Sequence, residues 1–346
     1  MEKKLQYLDV ARGIAILLVV LGHALIKDFA SSNVFINYLR FYVYTIHMPI
    51  FFVISGMLFE RNIDRYCKNS KYEYVKNKFC RFMIPYFSFS ILNYLIVFFF
   101  SNFNYFSSIL NKEGFVISSF SKSLFSIITY INHIDNHLWF LYVMFIILLL
   151  NRLFFFNFKC KEKKVIIIII SIIIYCISLF ISPFAPEIVY KIMYYNIIFV
   201  FGRLSYMYCF LFKNTRINFF NFIICLIFSI FLLFIKDSRE VWFYPLVNLI
   251  VELSASLWVI YYLGNLFLNN KVLNYFGNGK KSMIIYLLHM PFILPFIIFL
   301  LIRLNVNVFI IVPISFVTSI VVCLFFYNFI LCKSKAVRKY LFGFVN

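Results

Sequence analysis

Charged residues are scarce in this sequence, and acidic residues are the scarcest of them. Only 13% of the 346 residues are charged, with 13 Asp and Glu against 33 Lys and Arg, whereas about 25% is usual for soluble domains. Hydrophobic residues make up 64% of the chain and the mean hydropathy is +0.91, so a water-soluble core cannot hide them all. The composition excludes a soluble protein and predicts an all-α polytopic membrane protein with the lipid bilayer as its solvent.

The sequence also lacks the patterns of several other protein classes. Its eight Cys form no CxxC pair, which predicts unpaired thiols. The apolar runs do not alternate with polar residues, which excludes a β-barrel. The basic residues lie between apolar runs, which argues against a nucleic-acid-binding face. Since we find no linker, clear repeat or soluble domain, residues 1–346 are expected to form a single membrane-embedded domain.

Apolar runs of about 20 residues, the length that crosses a bilayer, occur ten times. Most Lys and Arg residues lie in alternate connections, the pattern of cytoplasmic loops. This distribution predicts a cytoplasmic N-terminus, a cytoplasmic C-terminus and an extracytoplasmic loop at 102–137. The location expected is the bacterial cytoplasmic (inner) membrane. The ten predicted spans are 10–29, 35–59, 82–101, 138–158, 165–182, 192–212, 217–235, 242–268, 282–301 and 308–331.

Arg12 and His23 lie on the first predicted span with ten residues between them. Eleven helical steps place them roughly 16 Å apart along the axis and on nearly the same face. A guanidinium at the cytoplasmic mouth suits a phosphate, and a neutral imidazole deep in the membrane suits general-base work on a hydroxyl. The alternatives are a topological anchor for Arg12 and a helix–helix hydrogen bond for His23.

His47 and His289 each precede a Met-Pro pair. Proline inside a span removes a backbone hydrogen bond and opens the helix locally, and broken helices often line binding sites. Both histidines fall near the predicted depth of His23, which favours one polar pocket. The alternative is three separate interhelical hydrogen bonds.

Glu252 is the one acid that the sequence places deep in a span. Such a carboxylate needs a partner, and Arg203 or one of the histidines is expected. Glu252 then orients a catalytic base or forms a structural ion pair. Lys78 and Arg81 precede the third predicted span, where they either bind a phosphate or only set topology.

His137 and Trp139 lie at a predicted helix mouth and are expected to line a cavity. His133, Asp135 and His137 have a spacing that a metal site can use, but this signal is weak. We expect no metal.

The segment YLDVARGIAILLVVLGHALI (Tyr7 to Ile26) resembles the first helix of the acyltransferase 3 family of integral membrane acyltransferases, in which ten residues separate an Arg and a His. TIHMPIFFVISGMLF, the segment from Lys78 to Pro85, HLWFLYVMF and SMIIYLLHMPF resemble later family motifs in the same order. The first helix is particularly similar to the subgroup related to fucose 4-O-acetylases.

The resemblance implies transfer of an acyl group, usually acetyl from cytoplasmic acetyl-CoA, to a hydroxyl of a cell-envelope polysaccharide, a lipid-linked glycan or another exported molecule. Some members of the family carry an SGNH-type domain, which is expected to be absent here. The chemistry expected is removal of the acceptor proton by a base, with either direct transfer or a covalent acyl-histidine. The predicted site comprises His23, Glu252 and His289 as catalytic residues, Arg12, Lys78 and Arg81 at the CoA phosphates, and His47, His137 and Trp139 around the substrate.

Two functions other than acyl transfer fit the same polar groups. A proton-coupled secondary transporter also has broken helices and histidines in its spans. A polysaccharide polymerase or flippase shares the many spans and the aromatic content. The missing repeat symmetry and the first-helix resemblance favour the acyltransferase.

Overall fold

The structure is a computed structural model that describes residues 5–101, 120–131, 137–154, 161–209, 214–235, 243–329 and 331–344. Regular structure in these ranges is helical throughout, as the composition predicts. The α-helices are α1 (Gln6–Ala24), α2 (Lys27–Ser32), α3 (Val34–Arg61), α4 (Ile63–Lys68), α5 (Lys71–Lys78), α6 (Ile84–Ser101), α7 (Phe120–Thr129), α8 (Trp139–Leu153), α9 (Lys161–Ile181), α10 (Glu187–Met207), α11 (Thr215–Ile235), α12 (Tyr244–Leu257), α13 (Gly264–Leu266), α14 (Lys271–Gly277), α15 (Gly279–Leu288), α16 (Leu294–Arg303), α17 (Val308–Phe329) and α18 (Lys335–Tyr340).

Each of the ten predicted spans overlaps one of these helices. Six helices in the described ranges are long and apolar enough to cross a membrane, and α15 with α16 forms a seventh candidate with a bend of 46°. α8 and residues 165–181 of α9 are shorter apolar helices. A multi-pass membrane protein is therefore confirmed, while the count of ten spans and the sides of the termini stay predictions. The six are Gln6–Ala24, Val34–Arg61, Lys71–Phe99, Thr215–Ile235, Tyr244–Leu266 and Val308–Phe329. A π-helical segment, Phe79–Met83, joins α5 to α6, and another, Trp258–Leu263, joins α12 to α13.

The chain divides into two compact units. Unit 1 comprises Met1–Asp64 and Tyr195–Leu324, and unit 2 comprises Arg65–Tyr194 and Phe325–Asn346. Unit 1 therefore contains the helices from α1 to α3 and from α11 to α16, whereas unit 2 contains the helices from α5 to α9 and α18. The unit boundaries fall within α4, α10 and α17.

Helix α1 packs backbone to backbone against α14 in unit 1. A Cβ atom on Gly13 would lie 2.2 Å from the carbonyl oxygen of Leu273, and one on Gly277 would lie 1.6 Å from that of Asp9. Small residues at such crossings let membrane helices approach closely. The two glycines thus fix α14, and the start of α15 after it, beside the first half of α1.

The two Met-Pro pairs have different structural effects. α3 continues through Pro49 as one helix of 28 residues, because a single proline removes only one backbone hydrogen bond from a long helix. At the second pair Met290 leaves the helical region (φ −117°, ψ 153°), and α15 and α16 are bent there. The predicted helix break is confirmed after His289 and is wrong for the helix that carries His47.

Candidate active site

The guanidinium of Arg12 lies where α1 meets the connection between α14 and α15. Its Nη1 donates to the Asp9 carboxylate at 3.1 Å and to the Gly277 carbonyl at 2.8 Å. The side chains of Arg12 and Asp9 remain 15% and 13% exposed, so this end of α1 carries an accessible ion pair. Asp9, which the sequence analysis did not consider as a partner, neutralises part of the charge expected to meet a phosphate.

Helix α1 ends earlier than predicted. The span 10–29 would place His23 well inside the helix, but α1 ends at Ala24 because Leu25 leaves the helical conformation (φ −82°, ψ 70°). The Leu25 carbonyl accepts a 2.8 Å hydrogen bond from Arg40 Nε of α3, which satisfies a carbonyl that the helix end leaves open. His23 therefore lies in the last turn of α1, at the opposite end from Arg12.

Three histidines and one tyrosine of unit 1 form a cluster of rings at this end of α1. The ring centroids of His23 and His289 are 5.2 Å apart. The Tyr44 ring lies edge-on to His23 at 5.9 Å and to His47 at 5.3 Å, and its Oη is 3.4 Å from His23 Nδ1. The prediction that the three histidines share a pocket is consistent with this imidazole cluster of His23, Tyr44, His47 and His289.

Backbone carbonyls fix the tautomers of two of these rings. His47 Nδ1 is 2.5 Å from the Val43 carbonyl oxygen, and His289 Nδ1 is 2.8 Å from that of Ile285. Because a carbonyl only accepts hydrogen bonds, Nδ1 must carry the proton in both rings. The Nδ1 atom of His23 faces a hydroxyl instead, which can both donate and accept. His23 is also partly exposed, whereas His47 and His289 are buried.

Glu252 is buried in α12, and Asn248 Nδ2 donates to its Oε1 at 2.9 Å. Arg203, one of its expected partners, pairs with Glu60 through an Nε–Oε2 contact of 2.9 Å. The Arg203 and Glu60 side chains are 0% and 9% exposed, so they form a buried ion pair between α3 and α10. Glu60 was missed because it falls one residue beyond the predicted span 35–59.

Lys78 and Arg81 belong to unit 2 and lie inside the helical candidate Lys71–Phe99, not in a loop before it. Lys78 Nζ donates to the Tyr66 hydroxyl at 3.3 Å and lies 5.3 Å from the centre of the Tyr74 ring. Arg152 Nη2 donates to the Tyr66 carbonyl at 3.0 Å, and its guanidinium lies 5.9 Å from the same Tyr74 ring. Lys78 and Arg152, with Tyr66 and Tyr74 between them, form a basic cluster.

The basic cluster contains two residues that the sequence analysis missed. Arg152 lies at the end of an apolar helix and is only 7% exposed, a burial that a topological anchor does not need. Tyr66 lies in α4, where burial raises the pKa of its phenol. An aromatic residue twelve positions before a lysine carries no periodic signal that would have revealed this contact.

His137 and Trp139 also belong to unit 2 and are not members of the imidazole cluster. His137 is buried, and Lys191 Nζ lies 4.5 Å from the centre of the Trp139 ring. His133 and Asp135 lie outside the described residues. The structure brings no three His, Cys, Asp or Glu residues of its described ranges into a possible metal site.

One of three comparisons with known proteins finds a match for this chain. Neither a search of curated proteins nor a search of solved structures finds a match for the chain. A family model described as an acyltransferase domain, Acyl_transf_3, matches residues 5–328, a range that includes both ends of α1 and the imidazole cluster. The subgroup related to fucose 4-O-acetylases stays a prediction. The chain therefore belongs to the acyltransferase 3 family, and the acyltransferase interpretation prevails over the transporter and the polymerase or flippase.

Proposed function

We propose that the protein is a membrane O-acetyltransferase that moves an acetyl group from cytoplasmic acetyl-CoA to a hydroxyl of a cell-envelope polysaccharide or lipid-linked glycan. The observation that carries this proposal is the 5.2 Å approach of the His23 and His289 rings in a chain of this family. Two imidazoles at one point provide a proton acceptor and a second polar group beside it. The topology we propose has ten spans and two cytoplasmic termini in the bacterial inner membrane.

The parallel course of α1 and α15 supports a donor that extends along them. Arg12 contacts Gly277 at one end, and His23 contacts His289 at the other. Eleven residues of rise on α1 correspond to roughly 16 Å, a distance that suits an extended pantetheine arm. The amino end of α15 lies next to Arg12, where a helix favours an anion. The CoA phosphates are therefore proposed to lie at Arg12, with the thioester at His23.

In the proposed reaction His23 accepts the proton of the acceptor hydroxyl as its oxygen attacks the thioester carbonyl. The C–S bond breaks, a C–O ester bond forms, and the CoA thiolate takes up the proton from His23 to leave as the thiol. His289 is proposed to assist His23 in this proton transfer, and Glu252 to orient the base. This direct transfer forms no acyl-enzyme intermediate. Trapping of an acyl-histidine would instead show a covalent mechanism, in which the imidazole is the nucleophile.

The basic cluster of unit 2 is proposed to bind a phosphorylated group. Lys78 and Arg152 are held by Tyr66 and Tyr74, and cations fixed in this way bind phosphate oxygens well. The phosphates of the donor are the ligand that the sequence predicts for Lys78 and Arg81. The role of His47, His137 and Trp139 in binding the acceptor stays a prediction. No finding identifies the sugar of the acceptor.

The experiment that tests the proposed function measures transfer of label from [acetyl-14C]acetyl-CoA to the glycan fraction of membranes. We expect label with the wild-type chain and none above background with His23→Ala at equal amounts of inserted protein. Equal label in both membranes would refute the role of His23. Absence of label in both, with acceptor glycan present, would refute acetyl-CoA as the donor.

A further inference from the structure

The hydroxyl of Tyr44 lies beside the Nδ1 atom of His23, the proposed base. Tyr44 Oη lies 3.4 Å from His23 Nδ1, and the two rings meet edge-on with an interplanar angle of 71°. Tyr44 precedes His47 by three positions on α3, which places both residues on one face of that helix. The Met-Pro pair marks His47 in the sequence, whereas no sequence pattern marks the tyrosine three positions before it.

Arg40 holds Tyr44 from the other side. Its guanidinium carbon lies 4.4 Å from the centre of the Tyr44 ring, and its Nε donates to the carbonyl of Leu25, two residues after His23. His23 of α1 and Leu25 just after it therefore form a closed ring of contacts with two residues of α3. The ring runs from Leu25 to Arg40, from Arg40 to Tyr44, from Tyr44 to His23, and back along the chain to Leu25. Such a ring limits the positions that the Tyr44 hydroxyl can take relative to the imidazole.

We propose that Tyr44 is a positioning residue that selects the tautomer of His23. A hydroxyl can pair with either tautomer. Tyr44 Oη acts here as the acceptor of His23 Nδ1–H, because a general base needs its lone pair on the other ring nitrogen, Nε2, to take up the acceptor proton. Arg40 keeps the hydroxyl in place. This inference rests on the proposed function for its kinetic consequence, but the tautomer itself is a property of the protein without substrates.

Tyr44→Phe tests the kinetic consequence, because it removes the hydroxyl and keeps the ring that packs on His47. Loss of one such hydrogen bond is worth roughly tenfold in rate, so we expect kcat to fall about tenfold while KM for acetyl-CoA stays unchanged. The matched control is Tyr42→Phe, which removes a hydroxyl on the same helix that donates to the Ser229 carbonyl at 2.9 Å. The control should keep kcat within about twofold. Equal activity of the two variants would overturn the proposal.

The tautomer is measured separately by 15N NMR of protein labelled in its histidine rings. The chain has five histidines, and comparison with His23→Ala assigns the signal of His23. In the wild-type protein we expect the Nδ1–H tautomer, and in Tyr44→Phe a mixture of both tautomers or the Nε2–H form. The same tautomer in both proteins would overturn the proposal even if the rates differed.

The two measurements separate this proposal from the proposed function. A tautomer change in Tyr44→Phe, with no acetyl transfer by the wild-type chain, would leave the positioning role intact and refute the acetyltransferase. Acetyl transfer that is equal in Tyr44→Phe and Tyr42→Phe would leave the acetyltransferase intact and refute the positioning role.

Discussion

The two ends of helix α1 differ in the kind of polar group that they hold. At one end the Arg12 guanidinium forms an ion pair with Asp9 and donates to the Gly277 carbonyl. At the other end His23 meets a tyrosine and a second histidine, with contacts made by rings and a hydroxyl. An end that holds a guanidinium suits binding of an anion, whereas a cluster of imidazoles suits transfer of a proton. One helix therefore separates binding from chemistry over roughly 16 Å.

The largest effect is expected within the imidazole cluster. His23→Ala should lower the rate of acyl transfer by about 10²- to 10⁴-fold, the usual contribution of a general base. His47→Gln should lower it only about tenfold, because the backbone holds the Nδ1–H of His47 and the residue lies behind Tyr44. Initial rates with labelled acetyl-CoA measure both variants. A larger loss for His47→Gln would move the base to His47.

The next prediction compares the imidazole cluster with a buried ion pair that has no proposed catalytic role, Arg203 with Glu60. Glu60→Gln removes the carboxylate charge that pairs with buried Arg203 at 2.9 Å and should lower the free energy of unfolding by about 3 kcal/mol. The rate per folded molecule should be unchanged, because the pair links α3 with α10 and is not part of the imidazole cluster. Thermal unfolding in detergent, followed by an activity assay of the folded fraction, measures both.

The matched control for this change is Glu187→Gln. The Glu187 carboxylate pairs with Lys191 at 2.7 Å but is 75% exposed, so its loss should leave the unfolding temperature almost unchanged. An equal decrease of the unfolding temperature in both variants would show that the buried Arg203–Glu60 pair stabilises the protein no more than an exposed pair does.

The charged end of α1 is broken by Arg12→Gln. We expect KM for acetyl-CoA to rise about tenfold or more with kcat nearly unchanged, because charge-assisted contacts to phosphate are lost. Asp9→Asn removes the competing carboxylate and keeps the guanidinium, so donor binding should stay the same or tighten. If both variants instead lost stability with no change in KM, Arg12 would be a structural residue.

The smallest effect is expected in the basic cluster. Lys78→Met should raise KM for acetyl-CoA about fivefold, since a single lysine contact to phosphate is lost. Lys76→Met, on the same helix but exposed, removes the same charge without disturbing Tyr66 or Tyr74. Equal KM values for the two variants would mean that the basic cluster binds a different phosphorylated group.

Hydropathy predicted the helices of this fold well, but not where they end. Leu25 is as apolar as the residues before it, so no pattern in the sequence marks the end of α1. The helix ends there, and the Leu25 carbonyl is bonded by Arg40 from another helix, a contact between residues 15 positions apart. His23 therefore lies in the last turn of α1 instead of well inside a helix, while its depth in the membrane stays a prediction.

The candidate site was predictable where the residue types are costly in a membrane. Arg12, His23 and His289 were identified because charged and imidazole groups are costly to place in apolar spans and usually have a function there. Tyr44 was not, because tyrosine is ordinary in membrane helices and this chain has 25 of them. Its role follows only from the neighbours that folding gives it.

The division between the two ends of α1 is tested most directly by equilibrium binding of acetyl-CoA to purified wild-type, His23→Ala and Arg12→Gln proteins. We predict that His23→Ala binds the donor like the wild type although it transfers nothing, and that Arg12→Gln binds about tenfold more weakly or worse. Loss of binding in His23→Ala, or wild-type affinity in Arg12→Gln, would contradict the separation of binding from chemistry.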